Sequence, residues 1–284
     1  MSRSGARPLP AWRRILTGAL ACLPLLAGAT VKELPVGGVP IGLPVADDEV
    51  SIASASPELF NVFRAGIPAE VRLLAALSTR GDFDRMMKGE AQQDVSLMVL
   101  VPKLLEDKEF TRQEWIDARP ALTRGMQEVD VAERVQAETA GSNQRMSQAA
   151  GMDVSVSYGK VDAPTIYRQT DDALYYTMRV PVKVSVKSEQ GEMLEDSESH
   201  VVGSIVFVRG KVVFINGYAD VVDHRPDDGL APDVLLRQRL EDRVARVLEI
   251  NAVAPAPAAP DAPAADGQPS KSLPLKKPAD AGKS

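Results

Sequence analysis

The second half of the chain carries the clearest strand patterns. Hydrophobic residues alternate with polar ones from Tyr176 to Val186, and a shorter alternation runs from Val154 to Tyr158. Two apolar runs, Val201 to Val208 and Val212 to Ile215, are joined by Arg209-Gly210-Lys211. Alternation leaves one face buried and one solvated, which is typical of antiparallel strands. The pattern therefore predicts an antiparallel sheet with a tight hairpin, whose glycine supplies a positive φ.

The first half of the chain mixes strands with a short capped helix. The stretch from Val39 to Val45 alternates apolar residues with Gly and Pro, which indicates short edge strands and turns. Ser56 and Pro57 are suited to open a helix that Gly66 closes. The apolar run from Val95 to Val101 has the length of a strand that is covered on both faces.

Further helices are predicted after this strand. Thr111 and Glu114 have the spacing of a capping box, so a helix should start at Arg112. Pro120 is expected to kink or interrupt it, because proline lacks the N–H group that the helical ladder requires. Residues 131–150 resume the helical pattern, and their polarity indicates an exposed helix.

A closing helix is predicted between Pro232 and Asn251. Its apolar residues recur every four positions and form one stripe: Leu236, Leu240, Val244 and Leu248, with Val247 beside them. Such a stripe is the buried face of an amphipathic helix, which we expect to pack across the sheet. Arg243 lies off the stripe and is expected to face solvent.

Both ends of the chain differ from its middle. Residues 1–29 contain four arginines and no acid, and an apolar run from Ile15 ends in the small-x-small sequence Ala27-Gly28-Ala29. We interpret them as a secretory signal peptide cleaved after Ala29, because the run is shorter than the about 20 residues that span a bilayer. Residues 252–284 are rich in Pro and Ala and lack apolar periodicity, which indicates a disordered tail.

These features predict four segments and an extracytoplasmic location. The segments are the signal peptide (1–29), Gly/Pro-rich strands with a short helix (30–66), an α+β domain (67–251) and the disordered tail (252–284). We expect a periplasmic or secreted protein with no transmembrane span after cleavage. Two other interpretations of the leader stay open: a twin-arginine export signal at Arg13-Arg14, and lipidation of Cys22, the chain's one cysteine.

Composition narrows the classes of partner. With 44% hydrophobic and 25% charged residues, the 284-residue chain suits a globular protein with a sizeable core. Its net charge of −6 repels phosphate backbones and anionic lipid headgroups. Aromatic residues make up 5% of the chain, which argues against base-stacking surfaces. We therefore expect no nucleic-acid partner.

An acidic stretch after the last predicted strand is the candidate metal site. It contains Asp220, Asp223, His224, Asp227 and Asp228. Carboxylates with one imidazole could hold a hard or borderline cation. However, their spacing matches no known metal-binding loop, and Asp and Pro favour turns for backbone reasons. We therefore favour a solvated turn between a strand and a helix.

No catalytic motif accompanies this stretch. The chain contains no glycine-rich phosphate loop, no His-x-x-x-His and no Gly-x-Ser-x-Gly. A serine triad would need His200 or His224, the two histidines of the chain. His200 begins an apolar strand, where a hydrogen-bonded or solvent-facing histidine is expected. Asp171-Asp172, between two strands, is interpreted as a turn.

The order of elements resembles a known fold family. The stretches that carry this similarity are "DVSLMVLVPKLLEDKEFTRQEW", "GSIVFVRGKVVFINGYAD" and the closing helix, and together they resemble the PsbP/DcrB-like α/β sandwich over roughly Ile67 to Asn251. The resemblance implies an α+β fold, an antiparallel sheet flanked by helices on both faces. Most proteins of this fold are non-enzymatic accessory or binding modules, and several are exported. The resemblance therefore implies such a role for this chain.

We therefore expect an exported, non-catalytic accessory or binding protein of the bacterial cell envelope. Its partner would be an unknown envelope protein or a small ligand, and no cofactor is expected. Two alternatives stay open. The first is a metal-dependent hydrolase that uses the cluster from Asp220 to Asp228, and the second is an envelope structural protein anchored by a lipid at Cys22.

Overall fold

The structure is a computed structural model that describes residues 30–88, 97–128, 131–188, 191–220 and 232–252. Its strands are β1 (Thr30–Val36), β2 (Val39–Val45), β3 (Glu49–Ser51), β4 (Val71–Thr79), β5 (Leu97–Pro102), β6 (Asp153–Tyr158), β7 (Thr165–Gln169), β8 (Ala173–Ser188), β9 (Gly191–Val208) and β10 (Lys211–Asp220). Its helices are α1 (Ile52–Ala55), α2 (Pro57–Gly66), α3 (Arg80–Met87), α4 (Lys103–Glu106), α5 (Arg112–Glu128), α6 (Val131–Ala150) and α7 (Pro232–Ala252).

The main sheet is antiparallel, as the alternating pattern predicts. Its strands follow the order β3-β4-β5-β10-β9-β8-β6, and β7 also pairs with β8. The alternating residues of β8 pair with β6 on one side and with β9 on the other, so that Val184 lies opposite Val156. Strands β1 and β2 form a two-stranded sheet of their own.

Helices cover both faces of the main sheet, which confirms the predicted α/β/α sandwich. On one face, α7 and the β1–β2 hairpin pack against the central strands, and Leu240 and Val244 are buried there. On the opposite face, α5 inserts Trp115 beside Phe207, and the two rings stack 5.9 Å apart. Helices α1 and α2 extend this second layer over β4 and β5. The fold is therefore of the α+β class, with the sheet between two apolar layers.

The predicted helix starts are confirmed in detail. The Ser56 hydroxyl accepts a hydrogen bond from the Leu59 N–H and caps α2. At α5, the Glu114 carboxylate accepts from the Thr111 N–H (2.7 Å), and the Thr111 hydroxyl accepts from the Glu114 N–H (3.2 Å). Two otherwise unpaired donors are satisfied in this capping box. The Thr111 N–H and, secondly, the Thr111 hydroxyl both donate to the Glu114 carboxylate, and these two bonds lower the pKa of Glu114.

Pro120 does not interrupt the helix, because α5 is continuous from Arg112 to Glu128, so that half of the prediction is wrong. Proline costs the helix one backbone hydrogen bond. Two side chains before Pro120 hold α5 onto the β7–β8 connection: the Trp115 indole N–H donates to the Asp171 carbonyl (2.9 Å), and Arg119 donates to the Thr170 carbonyl (2.6 Å). These tertiary contacts offset the lost bond and keep the helix in one piece.

The β9–β10 hairpin turns through Arg209 and Gly210, which both have positive φ (51° and 76°). The next residue, Lys211, begins β10 and is fully buried. Its ammonium group donates to the carbonyls of Glu106 (3.2 Å) and Lys108 (3.0 Å). A buried charge needs such hydrogen bonds to offset its loss of hydration. The lysine thereby ties the loop after α4 to the hairpin.

The first and last described elements of the chain meet at the β1–β2 hairpin. The Asn251 side chain, in the last turn of α7, accepts from the Gly42 N–H and donates to the Gly42 carbonyl, both at 2.8 Å. The hairpin and α7 share one apolar cluster, which includes Leu43 and Val247. One layer of the core therefore combines residues from both ends of the fold.

Candidate functional site

A cleft of about 540 Å³ lies beside α7 at the ends of β5 and β10. One wall is the side of α7 that carries Arg239, Asp242, Arg243 and Arg246. The other wall comes from the turn before β3 and from the start of α3. The amphipathic pattern of α7 places its leucines toward the sheet and its arginines along the rim.

The floor of the cleft is apolar. Leu97 at the start of β5 and Leu236 and Leu240 of α7 line it, and all three are buried. The end of β10, from Gly217 to Ala219, completes the floor. A ligand in the cleft would therefore cover apolar surface between two charged walls.

Arg243 joins the two walls, so the prediction that it faces solvent is wrong. Its guanidinium donates to the Pro44 carbonyl and forms an ion pair with Glu49, and the two side chains are 15% and 10% exposed. The second carboxylate oxygen of Glu49 accepts from the Ala46 N–H at 2.9 Å. Removing one partner of a buried ion pair costs about 3–5 kcal/mol. Arg243 therefore holds the cleft together and is not a free ligand-binding group.

The acid at the start of α3 is also held in place. Thr79 is the N-cap of α3, and its hydroxyl accepts a hydrogen bond from the Asp82 N–H at 3.1 Å. The Asp82 carboxylate forms an ion pair with Arg85, three residues along the same helix. Asp82 is 8% exposed, so its charge is fixed within the wall.

Four charged side chains of the cleft are exposed: Asp48, Arg239, Asp242 and Arg246. Within the described ranges, none of the four belongs to an ion pair. They supply two positive and two negative groups around the apolar floor. The cleft can therefore bind a ligand that carries both signs of charge beside an apolar part.

The predicted metal cluster falls largely outside the described residues. Asp220 is the last residue of β10, whereas Asp223, His224, Asp227 and Asp228 lie beyond the described ranges, as do the leader with Cys22 and the tail. In the part of the chain that is described, no three His, Cys, Asp or Glu side chains are grouped to hold a metal ion. The metal site stays a prediction.

His200 lies in β9 between two paired strands, opposite Arg179 of β8 and Ala219 of β10. It is 7% exposed. Burial lowers its pKa, and the positive charge of Arg179 lowers it further. Asp233 of α7 opposes this shift only in part. The neutral imidazole is therefore favoured in the folded protein.

The folded protein should lose stability between pH 7 and pH 5 through His200. In the unfolded chain this histidine takes up a proton below about pH 6.5, whereas the folded state resists protonation, so acid favours unfolding. We expect the difference in free energy of unfolding between the wild type and His200→Gln to shrink as the pH falls through this window. Urea melts of both proteins at pH 7, 6 and 5 measure it. A constant difference would contradict the prediction.

Comparison with known proteins assigns the chain to no family. No protein-family model and no characterised protein sequence matches it. Among solved structures it is similar to the Ran-binding protein Mog1p of Saccharomyces cerevisiae, at 13% identity and a TM-score of 0.28, over 77% of this chain and 94% of Mog1p. It is also similar to an IcmL-like type IV secretion system protein of Legionella pneumophila, at 12% identity and a TM-score of 0.18, over 61% and 96% of the two chains. Likenesses at such TM-scores transfer neither fold nor partners.

None of the helices within the described ranges combines the length and hydrophobicity that a bilayer crossing requires.

Proposed function

We propose that this chain is a non-catalytic binding protein of the bacterial cell envelope, and that its cleft holds a segment of a partner polypeptide. The observation that carries the proposal is the cleft itself, whose volume of about 540 Å³ lies in the range of ligand sites. Its exposed charges have no internal ion-pair partner in the described ranges. They are free to bind.

The lining favours a peptide over other ligands. Arg239 and Arg246 can face a carboxylate, Asp48 and Asp242 can face a basic group, and the leucine floor can take an apolar side chain between them. A short peptide supplies all three kinds of group within a few residues. A nucleic acid fits poorly, because its phosphates would meet the two aspartates.

The proposed envelope location is supported by the signal-peptide pattern of residues 1–29 and by the resemblance to PsbP/DcrB-like proteins. Both are features of the sequence. N-terminal sequencing of the protein purified from its native cells tests them: a mature chain that starts at Thr30 supports export, and an acylated Cys22 supports the lipid-anchored alternative.

Site-specific photo-crosslinking in intact cells tests the peptide-binding cleft. A photoreactive amino acid in place of Asp242, inside the cleft, should capture a discrete protein partner. The same residue in place of Arg124, exposed on α5 in the opposite layer, is the matched control and should not. Partners captured equally from both positions would contradict the proposal.

Reversing the charge of two cleft arginines tests how much they contribute to capture of the partner. Arg239→Glu combined with Arg246→Glu should weaken capture from position 242 roughly tenfold, because two exposed contacts together contribute on the order of 1.4 kcal/mol. Arg124→Glu changes charge outside the cleft and should leave capture unchanged. If both charge variants behave like the wild type, the arginines do not bind the partner.

A further inference from the structure

Strand β6 lies at the edge of the main sheet and pairs with β8 on one side. On its other side, the backbone groups of Val154 and Val156 point away from β8. An unpaired strand edge is a template for pairing with another strand, so folded proteins cover or charge such edges.

Helix α6 covers this edge with side-chain hydrogen bonds. The Ser147 hydroxyl accepts from the Val154 N–H and donates to the Val154 carbonyl, both at 3.0 Å. The Asn143 side chain accepts from the Val156 N–H and donates to the Val156 carbonyl, both at 2.9 Å. Two helical side chains thus make the bonds that a neighbouring strand would make.

The spacing of the two elements explains why this works. Asn143 and Ser147 are four residues apart on a helix, which spans about 6.0 Å. Val154 and Val156 are two residues apart on a strand, which spans about 6.6 Å. The helix can therefore match consecutive outward-facing positions of the strand. The same two-point contact recurs where Asn251 of α7 bonds to Gly42 of β2.

The attachment of α6 is mainly polar. Of the side chains described on this helix, Ser142 is the one that is buried. Arg145 adds hydrogen bonds to the carbonyls of Ala65 (3.0 Å) and Ile67 (3.1 Å), at the end of α2. The part of α6 that is described therefore brings no buried apolar side chain to the sheet, and hydrogen bonds carry much of its hold on β6.

We propose that the β6 edge is a strand-pairing surface for a second copy of this chain, and that α6 keeps it closed. The edge is self-complementary: an antiparallel pair centred on Ser155 places Val154 of each copy opposite Val156 of the other, and their outward backbone groups exchange both hydrogen bonds. Asp153 then lies opposite Ser157, so no two like charges face each other.

Removing the two covering side chains tests the proposal. The full-length wild type should be monomeric at about 50 μM, whereas Asn143→Ala combined with Ser147→Ala should approach twice the monomer mass by light scattering, as a micromolar Kd requires. Gln144→Ala combined with Gln148→Ala is the matched control, because both glutamines are exposed on the same helix, and it should stay monomeric. A monomeric Asn143/Ser147 variant would overturn the proposal.

A charge at the symmetry centre separates this dimer from aggregation. Ser155 is exposed and would face its own copy, so adding Ser155→Lys to the uncovered variant should prevent dimerisation, and Ser155→Glu should do the same. An equal mixture of the two should dimerise again. Pairing through β6 is ruled out if Ser155→Lys and Ser155→Glu each leave dimerisation unchanged. It is also ruled out if the two variants stay monomeric when they are mixed.

Ser147→Ala alone keeps the test decisive if the double variant does not fold. It removes only the contacts to Val154 and should populate the same dimer to a smaller extent, again abolished by Ser155→Lys. A folded Ser147→Ala variant that stays monomeric as its concentration is raised tenfold would equally overturn the proposal.

Discussion

Leu240→Asp should remove about 4–5 kcal/mol of stability, a large share of the roughly 5–15 kcal/mol that holds a typical protein folded. Leu240 is 2% exposed, in the middle of the apolar stripe of α7 and among the core residues of the main sheet. A carboxylate at this position loses its hydration and replaces a large apolar contact. Urea denaturation followed by circular dichroism measures the loss.

Ala245→Asp is the matched control, because it places the same acid on the exposed side of the same helix. It should cost about 0.7 kcal/mol, mostly through helix propensity. Leu240→Ala should fall between the two, at about 3 kcal/mol. If Leu240→Asp and Ala245→Asp lose similar stability, α7 does not pack against the sheet through this stripe.

Gly37→Ala is expected to cost about 3 kcal/mol. Gly37 turns the β1–β2 hairpin with φ 52°, a left-handed conformation that costs a side-chain-bearing residue about 1–2 kcal/mol. A methyl group there would also lie 2.0 Å from the backbone carbonyl oxygen of Glu106, the same oxygen that accepts from Lys211. The hairpin or the loop after α4 would have to move, which adds the cost of overpacking.

Gly38→Ala separates the cost of backbone strain from the cost of overpacking. Gly38 also has a positive φ, 81°, but a methyl group on it meets no atom within 4 Å. It should therefore cost about 1 kcal/mol, from backbone strain alone. Thermal melts of both variants give the comparison. Equal losses would mean that the close approach of Gly37 to Glu106 is not maintained in solution.

The local parts of the fold were predictable because their signals are local. The alternation from Tyr176 to Val186 marks one face of β8, on which Tyr176 is buried and the valines are half-buried. The capping box at Thr111 reports two bonds made within four residues. The stripe on α7 likewise depends only on helical periodicity. Each of these patterns depends only on residues that are close in sequence, and the structure therefore shows the elements that they predict.

The contacts that the sequence did not reveal join residues that are far apart in the chain. Arg243 pairs with Glu49, 194 positions away, and nothing near Arg243 signals that partner. Lys211 is buried although lysine favours the surface, because carbonyls about 100 positions earlier receive its hydrogen bonds. A sequence pattern reveals the polarity of a position and does not reveal which distant group will neutralise it.

The sequence pattern of α7 describes one wall of the cleft and says nothing of the other. The arginines at 239, 243 and 246 lie beside the stripe at helical spacing, so the local pattern places them on one side of α7 without predicting a cleft. The opposite wall, with Asp48 and Asp82, comes from the first part of the chain and is brought to α7 only by the sheet order. Topology therefore decides where the site lies, and local pattern decides only one of its sides.

Because α7 packs against the β1–β2 hairpin, this part of the fold can form only late in the synthesis of the chain. The hairpin leaves the ribosome about 200 residues before Asn251, which bonds to Gly42. Until then Leu34, Ile41 and Leu43, all buried in the finished fold, have no α7 to cover them. Contacts between residues so far apart in the chain form late and leave apolar surface exposed to aggregation. The nascent chain therefore completes this layer of its core only after its last described helix has been synthesised.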